Sequence, residues 1–346
     1  MKKDKLFIKF CKERNIKEST IVGYESALEQ FTKFNKQTLT ELINEASTEE
    51  ENRIPLKKRK LKKKLINFRT HLLKNKLSSN TIKTYFTNIK TIYTHFEIEL
   101  PHLPSIKYEK NYQTNYRDLP TRKNIKDALK ISPLPLQALI LFMSSSGTAK
   151  AETLSLTVED FLKATEEYYN SKNIKEALNE LSHKKGVVPT FYLKRIKTNK
   201  YYYTFCSPEA TEYIIKYLLT RKNLKKTDKL FPFSNSYITN KFKEINDKME
   251  WGFRGNYRFF RTHTLRKFHA SNIQLSQEHI DELQGRGKDY VHETYIKTNP
   301  QKLKEMYTKN MKHVMIYTKP EKTEEIKEDI YITINVFVSD EQINLY

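Results

Sequence analysis

The chain has 346 residues, with 63 Lys and Arg against 41 Asp and Glu, a formal net charge of +22 and a pI of about 9.6. This length is comfortable for two domains, and so large a positive excess favours a nucleic acid as partner over a membrane. No run of about eighteen apolar residues exists and charges interrupt the N-terminus too often for a signal peptide, so we expect a cytoplasmic, nucleoid-associated protein that contacts no membrane.

Residues 1–103 predict a compact bundle of about four helices. The chain has only seven glycines, and long apolar residues recur at three- and four-residue spacing, which predicts a mainly helical protein. The pattern S-T-I-x-x-Y-x-x-x-L-x-x-F from Ser19 to Phe31 recurs as N-T-I-x-x-Y-x-x-x-I-x-x-I from Asn80 to Ile92. In each copy a Ser or Asn cap is predicted to open an amphipathic helix.

A dense basic run lies between the two copies, ahead of the apolar face formed by Leu65, Phe68 and Leu72. One interpretation is a solvated helix end. We favour contact with the DNA backbone, because like charges packed this closely repel each other unless phosphates screen them. The candidate DNA-binding residues of the run are Lys57, Lys58, Arg59, Lys60, Lys62, Lys63 and Lys64.

The segment 104–120 predicts a linker, since prolines and polar residues break the helical periodicity there. A second domain is predicted over 121–318, opening with an apolar helix at Leu134–Met143 and a turn at Ser144–Gly147. Further helices are predicted at Pro208–Leu219, Ile238–Lys248, Leu265–Leu275 and Gln277–Leu283.

A β-hairpin is predicted over 191–205, where aromatic and β-branched residues alternate around a Thr-Asn turn. The fold class is therefore mainly α with a small β-hairpin or sheet. The last segment, 319–346, is an acidic tail that ends in a β-prone stretch, and it is expected to pack on its own chain or on a neighbouring subunit rather than on DNA.

The most informative motif joins His263-Thr264-Leu265-Arg266-Lys267 to a segment that runs from Leu283 to Tyr295. The order His-x-x-Arg, then Gly285-Arg286, then a tyrosine nine residues beyond Arg286 resembles the catalytic half of the tyrosine recombinases, or phage-type integrases. The resemblance covers about 121–318 well and 1–103 by general pattern. It implies a SAM-like helical core-binding domain followed by an α+β catalytic domain.

The resemblance implies DNA cleavage and rejoining through a 3′-phosphotyrosine, without metal, ATP or another cofactor. Tyr295 would be the nucleophile, and Arg266 would clamp two phosphate oxygens. His263 could donate to an oxygen or take the tyrosine proton. Arg286, where the family usually has His or Trp, could bind phosphate but could not shuttle a proton. Lys267 adds a further candidate contact to DNA.

Family members carry an essential lysine in the hairpin. The Lys197-Thr198-Asn199 turn resembles the common Lys-Thr-Gly form, so Lys197 is the candidate acid for the leaving 5′ oxygen. Lys200 is its rival. A solvated hairpin tip without a chemical role is the third interpretation.

The segment from Gly147 to Glu152 departs from the family pattern, which is roughly Thr-Gly-Leu-Arg-x-x-Glu. Aligning its Gly and Glu places Ala149 where the first catalytic arginine should stand. Either Lys150 substitutes for that arginine, which is the interpretation we favour, or activity is weakened or lost.

The family forms homotetramers on pairs of double-stranded DNA recombination sites, which implies the same here, and an accessory DNA-bending or directionality factor stays open. Two rivals remain: a catalytically silent DNA-binding relative, and a type IB topoisomerase-like enzyme that shares the chemistry. A metal nuclease is disfavoured, because no Asp/Glu cluster accompanies the cations. The two cysteines, Cys11 and Cys206, form no Cys-x-x-Cys motif and predict neither a disulfide nor a zinc site.

Overall fold

The computed structural model describes residues 4–105, 112–287 and 299–317. By its contacts the chain divides between Gln113 and Thr114 into two compact units. This division lies inside the predicted linker, while the exact domain bounds stay a prediction. The predicted acidic tail, 319–346, lies outside the described residues. The mainly α fold is confirmed.

The N-terminal unit contains five α-helices within the described residues, one more than the approximate four predicted. They are α1 Lys5–Glu13, α2 Glu18–Asn35, α3 Leu39–Glu51, α4 Lys60–Lys74 and α5 Ser79–His95, with a 3-10 turn at Leu56–Lys58. The starts of the two echo helices differ from the prediction. Lys17 precedes α2 without a side-chain cap, whereas the Ser78 hydroxyl caps α5 by accepting from the Thr81 N–H.

The apolar positions of the repeated pattern form part of the core of this unit. Leu28, Phe31, Ile82, Ile89 and Ile92 are all at most 1% exposed. The amphipathic faces predicted from the echo are therefore confirmed, and their burial contributes to the stability of the bundle.

The C-terminal unit has ten further helices among its described residues. They are α6 Arg122–Lys130, α7 Leu134–Ser146, α8 Lys150–Ser155, α9 Val158–Ala164, α10 Ile174–Ser182, α11 Pro208–Leu219, α12 Asn235–Lys248, α13 Thr262–Asn272, α14 Gln277–Leu283 and α15 Pro300–Asn310. Short 3-10 turns occur at Tyr116–Asp118, Glu166–Tyr168 and Met311–His313.

The central helix of this unit is α7, which is buried on every side from Ala138 onward. The predicted turn at Ser144–Ser146 is wrong, because these residues form the last turn of α7. Their hydroxyls bond back to carbonyls of the same helix, with Ser145 Oγ 2.8 Å from Leu141 O and Ser146 Oγ 2.7 Å from Phe142 O. Gly147 ends the helix in the left-handed region, at φ +66°.

The predicted hairpin is confirmed as β1 Thr190–Lys194 and β2 Tyr201–Phe205, paired antiparallel from Thr190↔Phe205 to Lys194↔Tyr201. Its connection spans 195–200 and is longer than the Thr-Asn turn predicted. A second hairpin, β3 Phe253–Arg254 and β4 Tyr257–Arg258, was not predicted, because strands of two residues show no alternation.

Two predicted helices, Pro208–Leu219 and Gln277–Leu283, have the predicted bounds. The predicted Ile238–Lys248 begins at Asn235, since Ser234 caps it by accepting from Tyr237 N. The predicted Leu265–Leu275 is Thr262–Asn272, which places His263 inside the first turn of α13. Among the described residues no helix is long and apolar enough to cross a membrane.

Candidate active site

Arg266 lies at the centre of the candidate site, on α13, and is only 6% exposed. Its Nη1 donates to Gly147 O at 2.7 Å and its Nη2 donates to Gln284 O at 2.8 Å. Gly147 follows α7 and Gln284 follows α14, so one guanidinium joins the ends of two other helices to its own. The guanidinium carries more N–H groups than these two bonds use.

The backbone around Arg266 is closely packed. A Cβ at Gly147 would lie 2.5 Å from His269 Nδ1 and 2.7 Å from Gln284 Nε2, so only glycine fits there without movement. Gln284 Nε2 donates to Arg266 O at 3.2 Å and lies 3.0 Å from His269 Nδ1. The segments that hold Arg266 are thus themselves held by neighbouring side chains.

His269 is a buried neutral histidine in this packing. Complete burial, followed by the positive charges of Arg266 and Arg286, lowers its pKa to about 3. At neutral pH it therefore serves as an uncharged hydrogen-bond partner of Gln284.

We expect this histidine to make the protein sensitive to acid. The folded pKa lies below the unfolded value of about 6.5, so the unfolded chain takes up a proton that the folded chain does not, and stability falls as pH drops below that value. The free energy of unfolding of wild type and of His269→Asn should be measured by chemical denaturation at pH 7, 6 and 5. We expect the difference between the two proteins to shrink as pH falls, by up to about 1.4 kcal/mol per pH unit. A difference that stays constant with pH would show that His269 is not the group responsible.

His263 lies one turn before Arg266, as predicted, and its side chain reaches the surface. Its pKa is lowered to about 4, first because the surrounding protein desolvates the ring and then because four cations lie near it, namely Arg261, Lys267, Arg266 and Arg286. A neutral imidazole at physiological pH can accept a proton, which an imidazolium cannot.

Arg286 is half exposed and follows Gly285, which has φ +58°. Its Nη1 donates to Asp281 Oδ1 at 3.1 Å. A Cβ at Gly285 would lie 2.5 Å from the ring of Tyr202 on β2, so the glycine allows the hairpin to pack directly against this segment. The structure therefore places Arg286, Arg266 and His263 near one another.

The two hairpin lysines differ in where they lie. Lys200 is partly buried and its Nζ donates to Arg286 O at 3.4 Å, whereas Lys197 is exposed in the 195–200 connection. Lys200 is thus in contact with the backbone of Arg286. The choice of general acid between them stays a prediction.

Lys150, the predicted substitute for the missing arginine, has a different partner. Its Nζ donates to Thr239 Oγ1, on α12, at 3.1 Å. Its charge is not among those that lower the pKa of Arg266. Ala149 stands before the first residue of α8 and offers no side-chain donor.

Arg195, which follows β1, was not singled out by any sequence motif. Its Nη1 lies 3.0 Å from Glu152 Oε1, with the two side chains 16% and 3% exposed. After burial itself, the charge of Arg195 is the first cause of the lowering of the Arg266 pKa, to about 10. The signal that could have found it is Glu152, because a buried carboxylate requires a cationic partner.

Several buried polar atoms of this region make no hydrogen bond. Within the part of the chain that the structure describes, they are Glu152 Oε2, Arg195 Nη1, Tyr202 Oη, Arg261 Nε, His269 Nε2 and Gln284 Oε1. The Arg195–Glu152 contact is thus an ion pair without hydrogen-bond geometry. Such atoms are uncommon in folded proteins, and here they lie on residues around Arg266 and the hairpin.

Lys267, the remaining predicted cation of the C-terminal unit, is partly buried on α13. Burial and then the charge of Arg261 lower its pKa.

The predicted cations of the N-terminal unit differ in whether they have partners within the protein. Arg59 pairs with Glu50 at 2.5 Å and with Glu99 at 3.2 Å.

Glu45 on α3 accepts from both Lys60 and Lys64. Arg59, Lys60 and Lys64 therefore have partners within the protein. No ion pair with another described residue is found for Lys57, Lys58, Lys62 and Lys63. The predicted nucleophile, Tyr295, lies outside the described residues.

Comparison with known proteins identifies the fold of this chain. No protein-family model matches the sequence, and neither does any curated protein. Among solved structures, the chain is similar to a lambda integrase tetramer bound to a Holliday junction, with 14% identity, 85% of this chain and 78% of that chain covered, and a TM-score of 0.55. The chain has the tyrosine recombinase fold.

Two further structures with the tyrosine recombinase fold are similar. A lambda integrase dimer bound to a COC′ core site has 13% identity, with 85% of this chain and 97% of that chain covered and a TM-score of 0.54. A Tn1549 transposon integrase in complex with transposon right end DNA has 13% identity, 87% and 96% coverage and a TM-score of 0.51.

Proposed function

We propose that this protein is a tyrosine recombinase, which cleaves and rejoins DNA at specific sites through a 3′-phosphotyrosine at Tyr295. The observation that carries the proposal is the buried guanidinium of Arg266, held by two carbonyl groups and flanked by a neutral His263 and by Arg286. Arg266 is a buried guanidinium that bonds to two carbonyl groups and has the charges of Arg195 and Arg286 near it, so an anion that bound there would be stabilised by it.

The chemistry follows from the residues present. Tyr295 Oη would attack the scissile phosphorus, and the bond from phosphorus to the 5′ oxygen would break. The charge that builds up on the nonbridging oxygens would be stabilised by Arg266, and a preorganised donor of this kind contributes about 10²–10³-fold in rate. His263, neutral above its pKa of about 4, would take the tyrosine proton.

The departing 5′ oxygen needs a proton, and a hairpin lysine would supply it. Lys200 is supported by its contact with Arg286, and Lys197 by its place in the motif. Rejoining is the reverse reaction, in which a 5′ hydroxyl attacks the phosphotyrosine. Because the bond energy is conserved in the adduct, no ATP is required.

The proposal is tested by incubating the protein with nicked suicide duplexes and mapping the peptide bound to DNA. We expect a covalent adduct at Tyr295 on DNA that carries a recognised site. A shift in DNA mobility without an adduct would instead support a catalytically silent DNA-binding relative. Relaxation of supercoils without dependence on a site would support a type IB topoisomerase-like enzyme.

Assembly is part of the proposal. One of the similar structures is a tetramer bound to a Holliday junction. We infer that four copies of this chain likewise assemble on paired double-stranded DNA recombination sites, with or without an accessory DNA-bending or directionality factor. Mass measurement of the complex on a synthetic four-way junction tests this stoichiometry.

The basic run of the N-terminal unit would bind the DNA backbone. We expect the combined change of Lys57, Lys58, Lys62 and Lys63 to glutamine to weaken binding and to make the plot of log K against log salt shallower, by about 0.9 for each phosphate that is no longer neutralised. Binding isotherms at several salt concentrations measure the slope.

A matched control exists in the same run. Lys60 and Lys64 already pair with Glu45, so changing these two to glutamine should alter the slope much less for each residue changed. Equal effects per residue would mean that the pairing within the protein does not decide which lysines reach DNA. An unchanged slope in the first variant would make the run a solvated helix end.

A further inference from the structure

We propose that Arg195 supplies the second phosphate-binding guanidinium of this site, in place of the arginine that the Gly147–Glu152 segment lacks. The scissile phosphate would then lie between Arg195, which is carried by the hairpin, and Arg266, which is carried by α13. This assignment rests on the proposed function, and it gives Ala149 a compensating partner elsewhere in the chain.

The backbone of Arg195 is held in place by the hairpin itself. Its N–H donates to Lys200 O at 2.6 Å, and its carbonyl accepts from Asn199 N at 2.7 Å. Lys194 pairs with Tyr201 in the adjacent register position. Arg195 is therefore positioned by a closed turn, and its side chain starts from a defined point.

The side chain of Arg195 reaches the turn of helix on which the missing arginine would stand. Its Nη1 lies 3.0 Å from Glu152 Oε1, and the same carboxylate oxygen accepts from Ile196 N at 3.2 Å. Thr153 N donates to Ala149 O at 3.0 Å, so Ala149 and Glu152 belong to a single turn at the start of α8. The hairpin thus brings a guanidinium to Glu152 on the first turn of α8, the turn that Ala149 precedes.

The other side of the hairpin approaches the second segment that holds Arg266. Lys200 contacts Arg286 O, and the Tyr202 ring packs against Gly285. Arg266 itself is bonded to Gly147 O on one side and to Gln284 O on the other. The hairpin therefore contacts both segments that Arg266 joins. Arg195 contacts the segment 147–152, and Lys200 and Tyr202 contact the segment 284–286.

Charge supports the same arrangement. Arg195 lies near enough to Arg266 to lower its pKa, so the two guanidinium groups repel each other in the free protein. A phosphate between them would relieve that repulsion and accept N–H bonds from both. Glu152 holds only part of the Arg195 guanidinium, because the contact lacks hydrogen-bond geometry and Nη1 is buried without another partner.

Lys150 fits the role less well. It is the residue next to Ala149 in sequence, but its ammonium group donates to Thr239 on α12. Lysine also lacks the planar fork that binds two phosphate oxygens at once. The alternative for Arg195 is that it serves only as the counter-ion of Glu152, and the experiment must separate these two roles.

The experiment measures single-turnover adduct formation on suicide DNA at saturating DNA concentration, with wild type, Arg195→Ala and Lys150→Ala. We expect Arg195→Ala to slow cleavage by about 100-fold or more, the scale of losing one preorganised donor, and Lys150→Ala to change it little. Arg221→Ala is the matched control. Arg221 is a partly buried arginine that donates to Lys229 O and pairs with Asp228 on another part of the unit, so its removal should leave cleavage unchanged.

A substrate with a methylphosphonate at the scissile position decides between the two roles of Arg195. That group is uncharged, so a residue that acts by neutralising the phosphate becomes less necessary. We expect the rate ratio of wild type to Arg195→Ala to shrink strongly on this substrate. A counter-ion of Glu152 would show the same ratio on both substrates, and the double variant Glu152→Gln, Arg195→Ala would recover cleavage of the ordinary phosphate.

The outcomes are distinct. Absence of an adduct with wild type would overturn the proposed function, and the role of Arg195 with it. A wild-type adduct accompanied by an undiminished Arg195→Ala rate would overturn Arg195 alone. Should Arg195→Ala fail to fold by circular dichroism, Arg195→Lys takes its place. This variant keeps the charge and loses the planar fork, so the proposal then requires slower cleavage than wild type, whereas a counter-ion of Glu152 would leave the rate unchanged.

Discussion

Replacing Tyr295 by phenylalanine is expected to abolish the covalent protein–DNA adduct and to leave the affinity for DNA nearly unchanged. In the proposed reaction the phenolic oxygen of Tyr295 is the nucleophile, and phenylalanine has no group that could form the bond to phosphorus. Binding to DNA would depend instead on many phosphate contacts of a chain with net charge +22, to which one hydroxyl would add little. Denaturing gels of suicide-substrate reactions measure the adduct, and mobility shifts measure the Kd.

The matched control for this prediction is Tyr290→Phe, a change of the same chemistry five residues earlier in the chain. It should form the adduct at the wild-type rate. An adduct that survives in Tyr295→Phe and disappears in Tyr290→Phe would move the nucleophile to Tyr290 and shift the alignment of the motif. Survival in both variants would remove this segment from the chemistry.

Gly147→Ala is expected to destabilise the protein strongly, because the added methyl group meets both a left-handed backbone and a close neighbour. The left-handed conformation costs an alanine there about 1–2 kcal/mol. Its Cβ would also lie 2.5 Å from the buried His269 ring, and such overpacking costs a further amount of about 1–3 kcal/mol. Chemical denaturation should therefore show a decrease of about 2–5 kcal/mol in the free energy of unfolding.

Gly186→Ala separates the two causes. Gly186 has φ +72°, close to the φ of Gly147, but a Cβ added there meets no atom within 4 Å. The decrease in its free energy of unfolding should be limited to the conformational part. If the two alanine variants are destabilised equally, the packing of Gly147 against His269 contributes nothing, and the close fit around Arg266 is not a source of stability.

Much of the fold could be predicted because its signals are local. The helices of the N-terminal unit follow from apolar residues at helical spacing, and Leu28, Phe31, Ile82 and Ile89 are all buried as that spacing requires. His263 and Arg266 could be paired because residues three apart share a helix face, which needs no knowledge of the tertiary structure.

The features that the sequence does not predict depend on contacts with other parts of the chain. The turn assigned to Ser144–Ser146 was wrong because serine favours turns only when its hydroxyl finds a non-helical partner, and here the hydroxyls bond to α7 itself. The basic run could be found by composition, but the pairing of only some of its lysines depends on Glu45, which α3 contributes.

The same limit applies to the arginines of the site. The sequence pattern is enough to show that alanine stands at position 149, where the family motif has an arginine, because the comparison involves one position of a motif. The pattern does not show that Arg195 lies against Glu152, because the pairing is made by the packing of a hairpin on a helix and has no characteristic spacing. Fold geometry is needed to connect the two observations.

The hydrogen bonds of Arg266 also determine when, during folding, the candidate site is assembled. Its two carbonyl partners lie 119 and 18 residues away along the chain, so the cation takes its place only when the segments at Gly147 and Gln284 have both been made and folded together. A nascent or partly unfolded chain already carries most of its lysines and can be attracted to DNA. Under the proposed function, such a chain would lack the assembled Arg266 site and could not cleave that DNA until folding is complete.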